Sequence, residues 1–132
     1  MTIAPGQPIT ASDIGGIQST ANAALPKAGG IMTGNIGYAV QNGVVAAGTN
    51  QATATLIQGQ TVRVTSVPSG TGVILDVDLV ERRIYNRGAN PLNVYPPVGA
   101  QIENFGTNIP TVIPAGSSTV IHLLTSTIAV IS

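Results

Sequence analysis

Apolar and polar residues alternate at every second position through much of the chain from about Ala52 onward. In the segment TVRVTSV, Val62 and Val64 fall on one side of an extended strand. Arg63 and Thr65 fall on the other side. Similar segments follow between turns rich in Gly, Pro and Asn: VILDVDLV, RRIYNR, LNVY, AQIENF, TVIPAGSS, TVIHLLTS and TIAVIS. About eight short β segments at this spacing predict an all-β fold, a small antiparallel β-sandwich or barrel.

One side of these predicted strands carries the residues that we expect to form the core of an antiparallel sandwich. They are Val62, Val64, Val73, Leu75, Ile84, Val94, Ile102, Val112, Val120 and Leu123. Prolines set limits on the same strands, because proline has no N–H group to donate to a ladder. We therefore expect Pro96, Pro97 and Pro114 at strand ends or at sheet edges.

The first part of the chain, residues 1–48, shows little sustained alternation and contains many glycine and proline residues. The segment SDIGGIQSTANAAL could form one short helix with Ser12 or Asp13 as its N-cap, although two adjacent glycines weaken it. We predict an N-terminal arm over residues 1–48 and a β-sandwich domain over residues 49–132. Ordering such an arm costs much backbone entropy, so we expect it to become ordered only against neighbouring protein.

Charged residues are unusually scarce. They make up 8% of the 132 residues, whereas ordinary soluble domains contain about 25%. Five basic and five acidic residues give zero net charge, which excludes the basic footprint of a protein that binds nucleic acid or anionic lipid. Because near-zero net charge promotes association, we expect much of the surface to contact other protein. A surface that is simply polar and uncharged is the alternative.

Two further features of composition narrow the class of protein. The chain has no cysteine, which excludes disulfide frameworks, zinc fingers and thiol catalysis. Its first residues carry no basic start followed by an apolar run, and no apolar stretch approaches the ~20 residues of a membrane span. We therefore expect a product made in the cytoplasm, with no membrane partner.

Few residues suggest catalysis or ligand binding. His122 is the only histidine, and it lies in a strand-like segment without a recognisable catalytic partner, so we interpret it as structural. Asp76 and Asp78 share one predicted strand face; they could ligate calcium with outside help, but a solvated face is the interpretation that we favour. No glycine-rich segment carries the lysine of a phosphate-binding loop. We therefore expect no enzyme, cofactor, metal site or small-molecule substrate.

The segment ERRIYNRGANPLNVYPP holds three of the five basic residues. Alternation places Arg83, Tyr85 and Arg87 on one face of a strand. The opposite face is predicted to carry Arg82, Ile84 and Asn86. Two interpretations stay open: the charges prevent wrong pairing at a sheet edge, or Arg83 and Arg87 contact an acidic partner surface.

The segment LPKAGGIMTGNI, residues 25–36, resembles one that recurs in tailed-bacteriophage fibre and virion-surface proteins. The recurring pattern is Leu-Pro-x-Ala-Gly-Gly-x-Met-Thr-Gly-x-Ile, and this chain matches each of its fixed positions. The preceding ITASDIGGIQSTANAAL looks like the lead-in found in those proteins. Downstream, NGVVAAGTNQATATLI, VTSVPSGTGVIL, IYNRGANPLNVYPPVGAQIENFG and IPAGSSTVIHLL resemble a small β domain of phage structural proteins.

The resemblance implies a structural protein of the phage virion. Fibres repeat the motif along a shaft, but here it occurs once before a compact domain, which is similar to capsid cement (decoration) proteins. Such proteins bind the shell as homotrimers and bridge major capsid proteins on the virion surface. A short tail fibre, a head fibre or a receptor-binding protein is the alternative. Within the motif, Leu25, Ile31 and Met32 are the residues that we expect to contact neighbouring protein.

Overall fold

The computed structural model describes residues 38–132, together with the isolated positions Gly6 and Ala11. Every regular element within residues 38–132 is a β-strand, which confirms the prediction of an all-β fold. The strands are β1 (Val40–Val45), β2 (Thr55–Ile57), β3 (Thr61–Ser66), β4 (Gly72–Leu75), β5 (Glu81–Asn86), β6 (Leu92–Tyr95), β7 (Gln101–Ile102), β8 (Thr111–Ile113), β9 (Ser118–Thr125) and β10 (Ile128–Ile131).

The strands form two sheets, and the chain changes sheet after each of the first eight strands. The first sheet has the order β1-β3-β5-β9-β10-β7, and the second has the order β2-β4-β6-β8. β1, β3 and β5 pair in parallel in the first sheet. β2, β4 and β6 do the same in the second. This part of the domain is therefore a two-sheet β-solenoid, in which each turn adds one parallel strand to each sheet.

The later strands close the solenoid with a different pairing. β9 pairs antiparallel with β5, β10 pairs antiparallel with β9, and β8 pairs antiparallel with β6. β7 pairs in parallel with β10. The predicted antiparallel order is therefore correct for three of the eight pairings. It is wrong for the four pairings among the first six strands and for that of β7 with β10. Antiparallel hairpins join strands that follow each other in sequence, whereas here successive strands lie in opposite sheets.

The hydrophobic core lies between the two sheets and follows from the alternation of each strand. In β3, for example, Val62 and Val64 are fully buried while Arg63 is exposed. The buried cluster consists of Val44, Ala46, Ile57, Val62, Val64, Val67, Val73, Leu75, Ile84, Leu92, Val94, Ile102, Ile113, Ile121, Leu123 and Ala129. It contains all but two of the predicted core residues.

The two exceptions are Val112 and Val120. Val112 is 53% exposed, because its neighbour Ile113 occupies the inward position of β8. Val120 is buried but lies outside the core cluster. It pairs with Arg83 across the β5–β9 ladder, and residues opposite each other in a ladder share one face of the sheet. Val120 therefore lies on the outer face of the first sheet, and Ile121 provides the core contact.

The β domain begins earlier than residue 49. β1 pairs with β3, and both Val44 and the following Ala46 are buried in the core. The compact unit that contains these strands starts at Tyr38. We therefore move the boundary from residue 48 to residue 38. The predicted short helix and the rest of the predicted arm lie outside the described residues.

The prolines lie where their missing N–H group is tolerated. β6 ends at Tyr95, directly before Pro96 and Pro97, and β8 ends at Ile113, directly before Pro114. The prediction that these prolines occupy strand ends is confirmed. Each of them stops a strand before its next ladder hydrogen bond would be required.

Candidate protein-contact face

The outer face of the first sheet carries three of the four arginines of the chain. Arg63 of β3 and Arg83 of β5 are exposed, because the residues beside them in sequence, Val62 and Ile84, occupy inward positions. Arg87 follows the last residue of β5 and is also exposed, and Tyr85, which lies between Arg83 and Arg87 in sequence, is half-buried. We call Arg63, Arg83, Tyr85 and Arg87 the arginine face.

Parallel register brings these residues together from two strands. Arg63 is the ladder partner of Tyr85, and Thr61 is the partner of Arg83. Neighbouring strands lie about 4.8 Å apart and alternate residues about 6.8 Å apart, so the Cα atom of Arg63 lies about 8 Å from those of Arg83 and Arg87. The three arginines therefore occupy backbone positions around Tyr85 rather than following one strand in a line.

Local contacts orient two of the three arginines. The guanidinium carbon of Arg87 lies 5.5 Å from the centroid of the Tyr85 ring, within the range of a cation–π contact. Nη1 of Arg87 also donates a hydrogen bond of 3.0 Å to the carbonyl oxygen of Gly116. Nη1 of Arg63 donates one of 3.3 Å to Oδ1 of Asn42. These contacts leave guanidinium N–H groups available for a partner, because each arginine has five donors.

No carboxylate among the described residues forms an ion pair with an arginine of the arginine face. The ion pair found among those residues joins Arg82 and Asp78, and none involves Arg63, Arg83 or Arg87. The outer face therefore carries positive charge in a chain whose net charge is zero.

Two shallow depressions cross this face. One has a volume of about 410 Å³, and its lining includes both Arg63 and Arg87 together with Tyr85, Asn42, Val40 and Thr61, with no acidic side chain from the described residues. The other, of about 360 Å³, is lined by Tyr38, Gln60, Thr61, Glu81 and Arg83. Thr61 borders both depressions. The first one therefore combines two positive charges with amide, hydroxyl and apolar groups.

Sheet order contradicts the interpretation that these arginines protect an edge. β3 and β5 are internal strands of the first sheet, whereas among the described residues its edges are β1 and β7. β1 is irregular, with register shifts on both sides of Val44 and a positive φ of 75° at Gly43. β7 is only two residues long. Bulged and very short edge strands already discourage pairing with another chain, so the fold has no need of Arg63, Arg83 or Arg87 for that purpose.

Arg82 and Asn86 occupy inward positions of β5, as the alternation predicts, and both are buried. Arg82 forms an ion pair with Asp78 and donates a hydrogen bond of 3.4 Å to the carbonyl oxygen of Gln58. Its Nε and Nη1 atoms have no hydrogen-bond partner in the part of the chain that the structure describes. Arg82 thus connects β5 to the turn after β2, through Gln58, and to the turn after β4, through Asp78.

Asn86 connects the two sheets. Its Nδ2 atom donates hydrogen bonds of 2.9 Å to the carbonyl oxygens of Asn90 and Ile113, and its Oδ1 atom accepts one of 3.0 Å from the N–H group of Gly88. Sequence analysis placed Arg82 and Asn86 on the inward face but assigned them no structural role. In both cases the sequence showed a polar residue on the same strand face as the predicted core residue Ile84.

Asp76 and Asp78 do not lie on a strand face. β4 ends at Leu75, so both residues belong to the turn between β4 and β5, and Asp78 is paired with Arg82. No group of three potential metal-ligating side chains is found among the described residues. The hydrogen bond that the Gln58 side chain donates to Asp76 is the main cause of a lowered pKa of Asp76. The hydrogen bond from the Val77 N–H group also lowers this pKa. Burial raises it by less than these two bonds lower it, and the Arg82 charge lowers it slightly.

The remaining predicted residues fall in two groups. His122 lies in β9 opposite Glu81 of β5 and is half-buried. The predicted contact residues Leu25, Ile31 and Met32 lie outside the described residues.

In the described part of the chain, no helix has the length and apolar character needed to cross a membrane.

Comparisons of the chain with protein-family models, curated proteins and solved structures gave no match. The functional assignment therefore depends on the chain itself.

Proposed function

We propose that the protein is a structural component of a bacteriophage virion, acting as a homotrimeric capsid cement protein. In this role it binds the outside of the head shell and bridges major capsid proteins. The observation that carries the proposal is the arginine face: three exposed arginines occupy positions next to Tyr85 on, or directly after, internal strands. Neither edge protection nor an ion pair among the described residues accounts for them. A surface of this kind supports attachment to another protein.

The sequence supports the same role. The fibre-type motif at residues 25–36 precedes a single compact β domain, and charged residues are scarce over the whole chain. Low charge favours close contact between copies of the chain. Three copies around an axis form a closed assembly through one repeated heterologous contact. The trimer presents three arginine faces, which increases avidity for a shell that repeats its binding sites.

The mechanism is thermodynamic. Packed DNA presses on the shell of a filled head, and a ligand that binds only the intact shell stabilises it by mass action. Free cement protein at about 100 times its dissociation constant contributes about 2.7 kcal/mol per site. This role requires no cofactor and no catalytic residue.

Location on the particle is the test. Antibodies raised against the full chain are applied to purified virions of the phage that encodes it and imaged by immunogold electron microscopy. Labelling over the head is expected for a cement protein. Labelling at the tail or at isolated head fibres would favour a fibre or receptor-binding protein instead, and unlabelled virions would contradict a structural role in the particle.

A further inference from the structure

We infer that the depression between Arg63 and Arg87 receives carboxylate side chains from an acidic protein segment, a conclusion that names the partner chemistry of the proposed capsid contact and rests on that function. Its position makes Arg63 a contact residue, although the sequence pattern singled out only Arg83 and Arg87. The occupant is an acidic stretch of the partner protein rather than a nucleic acid or a sugar.

The two depressions differ in charge, and this difference decides which of them is the better site for a carboxylate. Arg63 and Arg87 line the larger one, and no acidic residue in the described part of the chain joins them there. Arg83 shares the smaller one with Glu81, whose carboxylate reduces the local positive charge. An incoming carboxylate therefore gains more from the Arg63–Arg87 depression.

The geometry suits a carboxylate ligand. Arg63 in β3 and Arg87 directly after β5 lie about 8 Å apart at their Cα atoms, so their long side chains can approach one carboxylate or two adjacent ones. Guanidinium groups bind carboxylates through paired N–H donors. The contacts of Arg63 with Asn42 and of Arg87 with Gly116 each use one Nη1 atom, which holds the side chains in place before a partner arrives.

The rest of the face favours protein over sugar or nucleic acid. The Tyr85 ring already lies against the Arg87 guanidinium, so stacking on a sugar or a base would compete with that contact. Val40, which lines the same depression, is 68% exposed and offers apolar contact of the kind found at protein interfaces. The zero net charge of the chain gives no general attraction for a polyanion, so binding depends on this local arrangement.

The test uses the full-length protein and labelled poly-L-glutamate as the acidic polypeptide, with alginate as an acidic polysaccharide and poly-L-lysine as a basic control. Binding is measured by titration with Arg63→Gln, Arg87→Gln and the matched variant Arg83→Gln, which removes the same charge from the same face. Circular dichroism and thermal melting check that each variant is folded.

We expect Arg63→Gln and Arg87→Gln each to weaken polyglutamate binding by about tenfold, and Arg83→Gln by less than about threefold. Raising the salt concentration from about 50 to about 300 mM should weaken binding of the unaltered protein, since screening shortens the reach of exposed charges. Equal losses for all three variants would overturn the inference by showing that only total charge matters. Tighter binding of alginate than of polyglutamate would overturn it in favour of a sugar.

The outcome is separable from that of the proposed function, because the titration contains no virions. If polyglutamate fails to bind the unaltered protein, the inference is wrong even where antibodies label the head. If virions are unlabelled while Arg63 and Arg87 govern polyglutamate binding, the capsid role is wrong and the acidic-segment site stands.

Discussion

Arg82 and Arg83 are neighbours in β5, yet they lie in two different regions of the molecule. Arg82 is 1% exposed and paired with Asp78 at the end of the core, whereas Arg83 is exposed on the outer face and forms no ion pair with any described residue. Burying a guanidinium group costs several kcal/mol, which its partners must offset, whereas an exposed arginine costs the fold almost nothing. Polar groups that face the core therefore contribute to folding, whereas those on the outer face remain available for binding.

The largest expected difference between the two regions concerns apolar packing. Ile84→Ala should reduce the free energy of unfolding by about 4 kcal/mol, because Ile84 is fully buried between the sheets and its truncation leaves a cavity. Val112→Ala, at a 53% exposed position, should change it by less than about 0.5 kcal/mol. Urea unfolding measures both. Equal losses would show that Val112 is also a core residue and that the assignment of faces in β8 is wrong.

The next contrast lies within one turn. Asp78→Ala should destabilise the fold by about 3 kcal/mol, since it leaves the buried guanidinium of Arg82 without its carboxylate. Asp76→Ala is the matched control, because Asp76 accepts hydrogen bonds in the same turn but forms no ion pair. It should cost about 1 kcal/mol. Thermal and urea unfolding measure the stability of the two variants. A larger loss of stability for Asp76→Ala than for Asp78→Ala would contradict the stabilising role of the Arg82–Asp78 ion pair.

A third pair compares two asparagines. Asn86→Ala should cost about 2 kcal/mol, because it leaves the carbonyl oxygens of Asn90 and Ile113 and the N–H group of Gly88 without their buried partner. Asn42→Ala, on the exposed outer face, should cost less than about 0.5 kcal/mol. Unfolding free energies compare the two. Similar values would mean that water replaces the Asn86 hydrogen bonds and that this end of the core is hydrated.

A smaller effect is expected at the outer face itself. Arg87→Ala should lower stability by less than about 1 kcal/mol, through loss of its contact with the Tyr85 ring. Arg87→Lys should restore part of this loss, because lysine keeps the positive charge near the ring. The measurement is the free energy of unfolding in urea. A loss as large as that of Ile84→Ala would show that the outer face is required for folding and would break the division between the two regions.

The smallest expected effect depends on pH. The pKa of Asp76 is lowered from its ordinary value of 3.8, so the folded chain favours the carboxylate more than the unfolded chain does. This contribution is fully present above pH 3.8 and is lost as the pH falls through the lower pKa of the folded state. Melting temperatures of the unaltered protein and of Asp76→Asn should therefore converge in acid. A gap that stays constant below pH 3.8 would contradict the lowered pKa.

Much of the fold could be predicted because alternation is a local property of the chain. The pattern in β3 and β5 correctly separated Val62, Val64 and Ile84 from Arg63 and Arg83. It failed where strands are short or irregular: β1 contains the bulge at Gly43, and β2 spans three residues. Neither strand shows enough repeats of period two to be recognised, so the start of the domain was placed after β1.

The candidate site could be predicted only in part. Arg83 lies in β5 and Arg87 directly after its last residue, and their common face follows from their spacing of four residues. Arg63 joins them through the pairing of β3 with β5, which a local pattern does not encode. Pairing with both β3 and β9 made β5 an internal strand and so removed edge protection as an explanation for its arginines.

The sequence by itself determined the all-β class, most of the inward positions and the scarcity of charge, because each depends on residue type and on neighbours along the chain. Only the tertiary structure decided that successive strands lie in opposite sheets, that Arg63 lies beside Tyr85, and that Arg82 pairs with Asp78 in the β4–β5 turn. These features depend on which distant segments form hydrogen bonds with one another. Many pairings bury the same apolar residues, and the choice among them is made by the packing of the whole domain.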